Sequence, residues 1–168
     1  MKKIAIAVLL SAFVAAPAVA ADTPFYAGVN VGSAEINETG FSSTTSFGLL
    51  GGYTFNENIA AEVAYTNFGS KDIGFGFTYK SSAWSISGVG SYPINDQFSV
   101  FGKLGFASTT LELTAFPSES KSDLTYGFGG QFNVNKQVGI RLGYDVYKVG
   151  SGTSVDEKVM SVGAVFKF

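Results

Sequence analysis

Four charged side chains punctuate otherwise apolar stretches of this 168-residue sequence, and they are the residues best suited to chemistry: Glu62, Lys103, Arg141 and Asp145. Three of them open one four-residue pattern of charge, aliphatic, small and aromatic: Glu62-Val63-Ala64-Tyr65, Lys103-Leu104-Gly105-Phe106 and Arg141-Leu142-Gly143-Tyr144. In an extended strand successive side chains alternate faces, so the charge and the small residue share one face of each copy and the aliphatic and aromatic residues share the other. A lone charge held away from water is costly or changes its protonation, so enclosed charges must pair. Glu62 is the natural partner of Arg141 or Lys103, with Asn30, Gln131 and Asp145 on the same face. This set reads as a structural network more than an ion gate.

Other chemistry is scarce. The sequence has no His and no Cys, which removes the commonest general base, the commonest metal ligand, every thiol nucleophile and every disulfide. The expectation is no enzyme, no catalytic residue, no metal and no cofactor. Asp156-Glu157 are adjacent acids on an outer link and read as a solvated charge patch, not an acid–base pair. Gly74-Phe75-Gly76 lacks the strand-then-helix context of a phosphate-binding loop. Acids outnumber bases by 13 to 11, so a basic nucleic-acid binder is excluded.

The elements that must position these charges are strands. Hydrophobic residues make up 46% and charged residues 14%, with 21 Gly, 16 Phe and only 4 Pro, a bias of strand-rich architectures. Lys2 and Lys3, the apolar run from Ile4 to Ala16 broken at Pro17, and the triplet Ala18-Val19-Ala20 read as a secretory signal peptide over 1–20. Residues 21–168 then form a single domain. No later run is long and apolar enough for a spanning helix, so any membrane crossing requires a closed barrel. Period-2 alternation marks eight segments, near 24–34, 45–55, 58–68, 79–93, 97–112, 123–134, 137–148 and 158–168. Short Asn-bearing turns at Asn56-Glu57-Asn58, Asn95-Asp96 and Asn135-Lys136 alternate with longer polar links near 35–44, 69–78, 113–122 and 149–157. The predicted fold is all-β: an eight-stranded antiparallel up-and-down transmembrane barrel, with short turns on the periplasmic side and long links outside.

Placing the short turns at one end puts outward aromatics near that end at Phe25, Phe55, Tyr92, Phe98, Phe132 and Phe168. A second belt follows higher up at Phe47, Tyr65, Trp84, Phe106, Tyr126 and Tyr144. Two such belts match the two interfaces of a bilayer. In a soluble sandwich they would be core aromatics, and Glu62, Lys103 and Arg141 would lie on a solvent face. With eight strands the interior is just wide enough to be filled by side chains, so a packed polar lumen is expected.

The segments Gly51-Gly52-Tyr53, Tyr92-Pro93-Ile94, Lys103-Leu104-Gly105, Arg141-Leu142 with Tyr144, and Val162-Gly163-Ala164-Val165-Phe166-Lys167-Phe168, together with Glu62, resemble the eight-stranded membrane domain of the outer-membrane protein A family. In size the chain is similar to outer-membrane protein X. The resemblance implies a place in the Gram-negative outer membrane, contact with its lipids, and a barrel assembly machinery that reads the terminal Phe166 and Phe168. It also matches Glu62 and Arg141 to a lumenal pair that forms part of a salt-bridge gate in the family. The lysine that competes for that Glu falls at Val89 here, and the acid that would accept the released Arg falls at Gln131. Small barrels that modify lipids or cleave proteins generally rely on His, which this chain lacks.

The functional expectation is a structural or surface-interacting outer-membrane protein whose loops are the recognition surface for an extracellular ligand. A narrow porin-like channel and an adhesin are the alternatives. Ile73, Phe75, Phe77 and Phe116-Pro117 are the apolar loop residues to weigh as contact sites.

Overall fold

The computed structural model describes residues 23–36, 43–72, 78–113, 119–149 and 155–168. It contains eight strands: β1 (Phe25–Ile36), β2 (Thr44–Asn56), β3 (Ile59–Asp72), β4 (Thr78–Pro93), β5 (Phe98–Leu113), β6 (Glu119–Asn133), β7 (Val138–Val149) and β8 (Val155–Lys167). Each pairs antiparallel with its neighbours in sequence, and β1 pairs with β8 to close the barrel. The signal-peptide reading over 1–20 lies outside the described residues.

Three turns at one end share one construction. Asn56 Oδ1 accepts from the backbone N–H groups of Asn58 and Ile59, both at 2.9 Å. Asn95 Oδ1 does the same for Gln97 and Phe98 at 3.0 and 2.8 Å, and Asn135 Oδ1 for Gln137 and Val138 at 2.9 and 2.7 Å. An asparagine carbonyl replaces the missing ladder partners at the bend, which is why Asn recurs there.

At the other end the strands run further than hydropathy suggests. β6 begins at Glu119 and β8 at Val155, so residues 37–43, 73–77, 114–118 and 150–154 connect the strands in place of the longer links read from polarity. Backbone pairing does not require apolar side chains, so polar Ser and Thr positions continue the ladders past the apolar band. The acids Asp156 and Glu157 therefore belong to β8 and not to a loop. Alternation turns Glu157 inward, where it is 2% exposed and its Oε2 accepts from Ser81 Oγ at 3.4 Å.

The outward face is apolar. Leu104 is 60% exposed and Leu142 58%, with Val63, Ile86, Phe128 and Met160 similarly open. Aromatics flank this band as cross-strand pairs: Phe25 against Tyr53 at 5.1 Å, Tyr65 against Trp84 at 5.0 Å and Phe128 against Tyr144 at 5.5 Å between ring centroids. Phe55, Tyr92, Phe98, Phe106, Phe132 and Phe168 are also exposed. Val146 is outward by strand parity yet buried, with Tyr126 and Lys158 as its register partners on the flanking strands. No helix among the described residues is long and apolar enough to cross a membrane. A closed sheet with an apolar exterior needs none, because every ladder hydrogen bond is made within it.

The closing seam is fastened at the short-turn end. Phe168 N–H donates to the Phe25 carbonyl at 3.1 Å, and the Phe168 carbonyl accepts from Thr23 N–H at 2.8 Å and from Thr23 Oγ1 at 2.7 Å.

Candidate functional site

The strands bring Glu62, Lys103, Gln131, Arg141 and Asp145 together inside the barrel. Arg141 Nη1 donates to Glu62 Oε2 at 2.6 Å, and Arg141 Nε donates to Gln131 Oε1 at 3.1 Å. Lys103 Nζ lies 2.9 Å from Asp145 Oδ1 and 3.7 Å from Glu62 Oε1. Glu62, only 2% exposed, also accepts from the Tyr26 hydroxyl at 3.1 Å. Two carboxylates and two cations thus form a neutral chain across the lumen, which lets four charges share an enclosed space.

Sequence reasoning missed the two rings that seat the guanidinium. Arg141 Cζ lies 4.8 Å from the Phe101 ring centroid and 5.6 Å from that of Tyr26, two cation–π contacts. The signal was present: both aromatics have inward parity, and each faces a glycine on the next strand. A Cβ on Gly52 would strike the Tyr26 ring, one on Gly129 the Phe101 ring, and one on Gly127 the Asp145 carboxylate. The lumenal glycines make room for the large side chains beside them.

Val89 is buried, and Gln131 is a neutral acceptor for Arg141. The second cation near Glu62 comes instead from Lys103 on β5. Beneath this layer, the short-turn end opens into a mouth of about 1330 Å³ lined by residues including Thr23, Glu57, Asp96, Lys136 and Lys167. A chamber of about 170 Å³ reaches Arg141, and beside Lys103 and Asp145 only about 20 Å³ remains.

The interior is not polar throughout, as the sequence suggested. On the long-link side, Ala34, Phe68, Ala83, Ala107, Tyr147 and Val159 form a buried apolar cluster inside the barrel. Phe68 and Tyr147 were not among the expected site residues, although both have inward parity. Among the described residues no group of His, Cys, Asp and Glu is placed to hold a metal.

The family model for an outer membrane protein beta-barrel domain matches residues 5–168. The chain belongs to this family. It is 28% identical to outer membrane protein A of Salmonella typhi and 26% identical to that of Shigella flexneri, each alignment covering 100% of this chain and 56% of the relative. The chain thus spans about half the length of the curated relatives it matches.

Among solved structures, the barrel superposes on Ail, the attachment invasion locus protein of Yersinia pestis, with a TM-score of 0.63 at 22% identity, covering 88% of this chain and 100% of Ail. Neisserial surface protein A gives a TM-score of 0.72 at 16% identity, covering 87% of this chain and 98% of that one. These likenesses show the shared barrel fold. The protein is an outer-membrane β-barrel of Gram-negative type, and its exterior apolar band meets lipid.

Proposed function

We propose that this family member is a non-conducting outer-membrane barrel whose rigid wall presents its extracellular hairpins as a contact surface. The carrying observation is the occupied lumen: Arg141 pairs with Glu62 and Lys103 with Asp145 across it, and the pocket beside Lys103 and Asp145 holds only about 20 Å³. Export through the signal peptide at 1–20 and insertion by the barrel assembly machinery, with Phe166 and Phe168 as its signal, belong to the same proposal. The expected result in planar bilayers is that the folded protein, checked by heat-modifiable mobility, shows no unit conductance. Steady channel events from the unmodified protein refute this reading and favour the narrow pore.

Adhesion is the second reading, supported by strands of up to 16 residues in β4 and β5, longer than the 9–11 or so that a tilted spanning strand needs. Their length exceeds what crossing the apolar band requires. Ile73, Phe75, Phe77 and Phe116-Pro117, the apolar candidates for contact, lie outside the described residues. Replacing residues 73–77 or 114–118 with Gly-Ser turns abolishes whole-cell binding to heparin-coated and host-matrix surfaces if the tips are adhesive, while heat-modifiable mobility persists. Unchanged binding removes this second reading.

A further inference from the structure

Two different layers fill the lumen, and they do not resist ions in the same way. The lower is the charged chain from Asp145 to Arg141. The upper is built on Phe68 and Tyr147, 4% and 3% exposed, whose rings meet edge to face at 5.1 Å between centroids and 76° between planes. Small side chains at Ala34, Ala83 and Ala107 leave room for both rings, and Val159 completes the layer. The Tyr147 hydroxyl is within 3.1 Å of Thr66 Oγ1, so its polar atom has a hydrogen-bond partner within the barrel. Beyond the rings lies a polar layer containing the Ser81–Glu157 hydrogen bond.

The position of Phe68 is specifically constructed. The β3–β4 register shifts between Asn67 and Ser70, and Gly69 adopts a φ of 88°. Asn67 Oδ1 accepts from Gly69 N–H at 2.9 Å, while Thr44 Oγ1 donates to the Phe68 carbonyl at 2.7 Å. Phe68 is inward by the same alternation as Glu62, Ala64 and Thr66, and the bulge at residues 68–69 with its two hydrogen bonds fixes the backbone at that position. A Cβ at residue 69 would lie 2.7 Å from the Thr45 carbonyl oxygen, and a left-handed φ disfavours any other side chain.

We infer that the permeability barrier of this barrel is the Phe68–Tyr147 layer, an apolar plug on the extracellular half, and that the ion-pair layer beneath it is not the seal. The inference rests on the non-conducting reading and assigns the closure to particular residues. A polar passage that loses an ion pair is still lined by groups that hold water. An apolar constriction excludes ions because water does not fill it. Opening the charged layer therefore leaves the plug shut, whereas making the plug polar joins the wet regions on its two sides.

The test is planar-bilayer conductance of refolded proteins, each first checked for heat-modifiable mobility. F68S/Y147S is expected to show steady unit conductance where the parent shows none, and F68A, a milder change, to show it at lower frequency. E62Q/R141Q and K103M/D145N are expected to stay silent, as is Y147F, which keeps the ring. Conductance in the charged-layer pairs with silence in folded F68S/Y147S or F68A overturns the assignment, as does silence in every variant. Conductance of the parent protein overturns the non-conducting reading itself and is read separately.

Discussion

Glu62 accepts hydrogen bonds from Arg141 and Tyr26 and has Lys103 as a second, longer ion pair, whereas Asp145 has its ion pair with Lys103 alone among the described residues. The two cations are therefore not equivalent. R141A leaves Glu62 the Tyr26 hydroxyl and the Lys103 cation, while K103A strips Asp145 of its cation. Removing one member of a buried pair costs about 3–5 kcal/mol, so K103A is expected near the upper end and R141A near the lower in urea unfolding from detergent micelles. The reverse order argues against the observed sharing. Thr109 offers a contrasting case, because its buried hydroxyl has no hydrogen-bond partner among the described residues. T109V preserves shape and removes an unsatisfied group, so its unfolding midpoint stays equal to the parent's or rises. The charged residues were legible because strand parity and a thrice-repeated pattern put them on one face. Tyr26, Phe101, Phe68 and Tyr147 were not, because inward aromatics look like ordinary strand residues until the glycines and alanines facing them are known.

The three Asn turns show how local chemistry sets an element's boundaries. Asn135 supplies two acceptor contacts to the bend between β6 and β7. At a net worth of about 0.5–1.5 kcal/mol for each hydrogen bond, N135A lowers stability by about 1–2 kcal/mol and N135G by a similar amount, read from the midpoint of the heat-modifiable gel transition. A shift of zero shows that solvent replaces these bonds without loss. This end of the barrel was readable to within a residue or two, since Asn, charge and the return of alternation coincide. The opposite ends were not: β6 and β8 start earlier than polarity suggests, and Glu157 lies in the lumen and not on a loop. Hydropathy reports the part of a strand that meets lipid, whereas pairing continues as long as backbone partners are available.

At the scale of the whole molecule, the exposed band around Leu104 and Leu142 is the surface that commits the protein to a bilayer. L104R places a charge on the lipid side near mid-height, where such a change costs about 2–4 kcal/mol. The equivalent change at Phe98, beside a short turn, costs about 1 kcal/mol or less. Equal losses at the two depths, measured by unfolding from lipid vesicles, contradict the assigned membrane position. The Thr23–Phe168 fastening has a further consequence, for the order in which the barrel forms. Seven of the eight strand pairings join neighbours in sequence, but the β1–β8 ladder joins segments separated by most of the chain. Hairpins form early because their loops are short, and the last ladder must await the slow meeting of distant segments. Until it zips, two strand edges carry unsatisfied backbone groups that hydrocarbon cannot hydrate. The final seam is therefore the step expected to limit folding, with the unzipped curl the species expected to be most exposed to aggregation and to proteases.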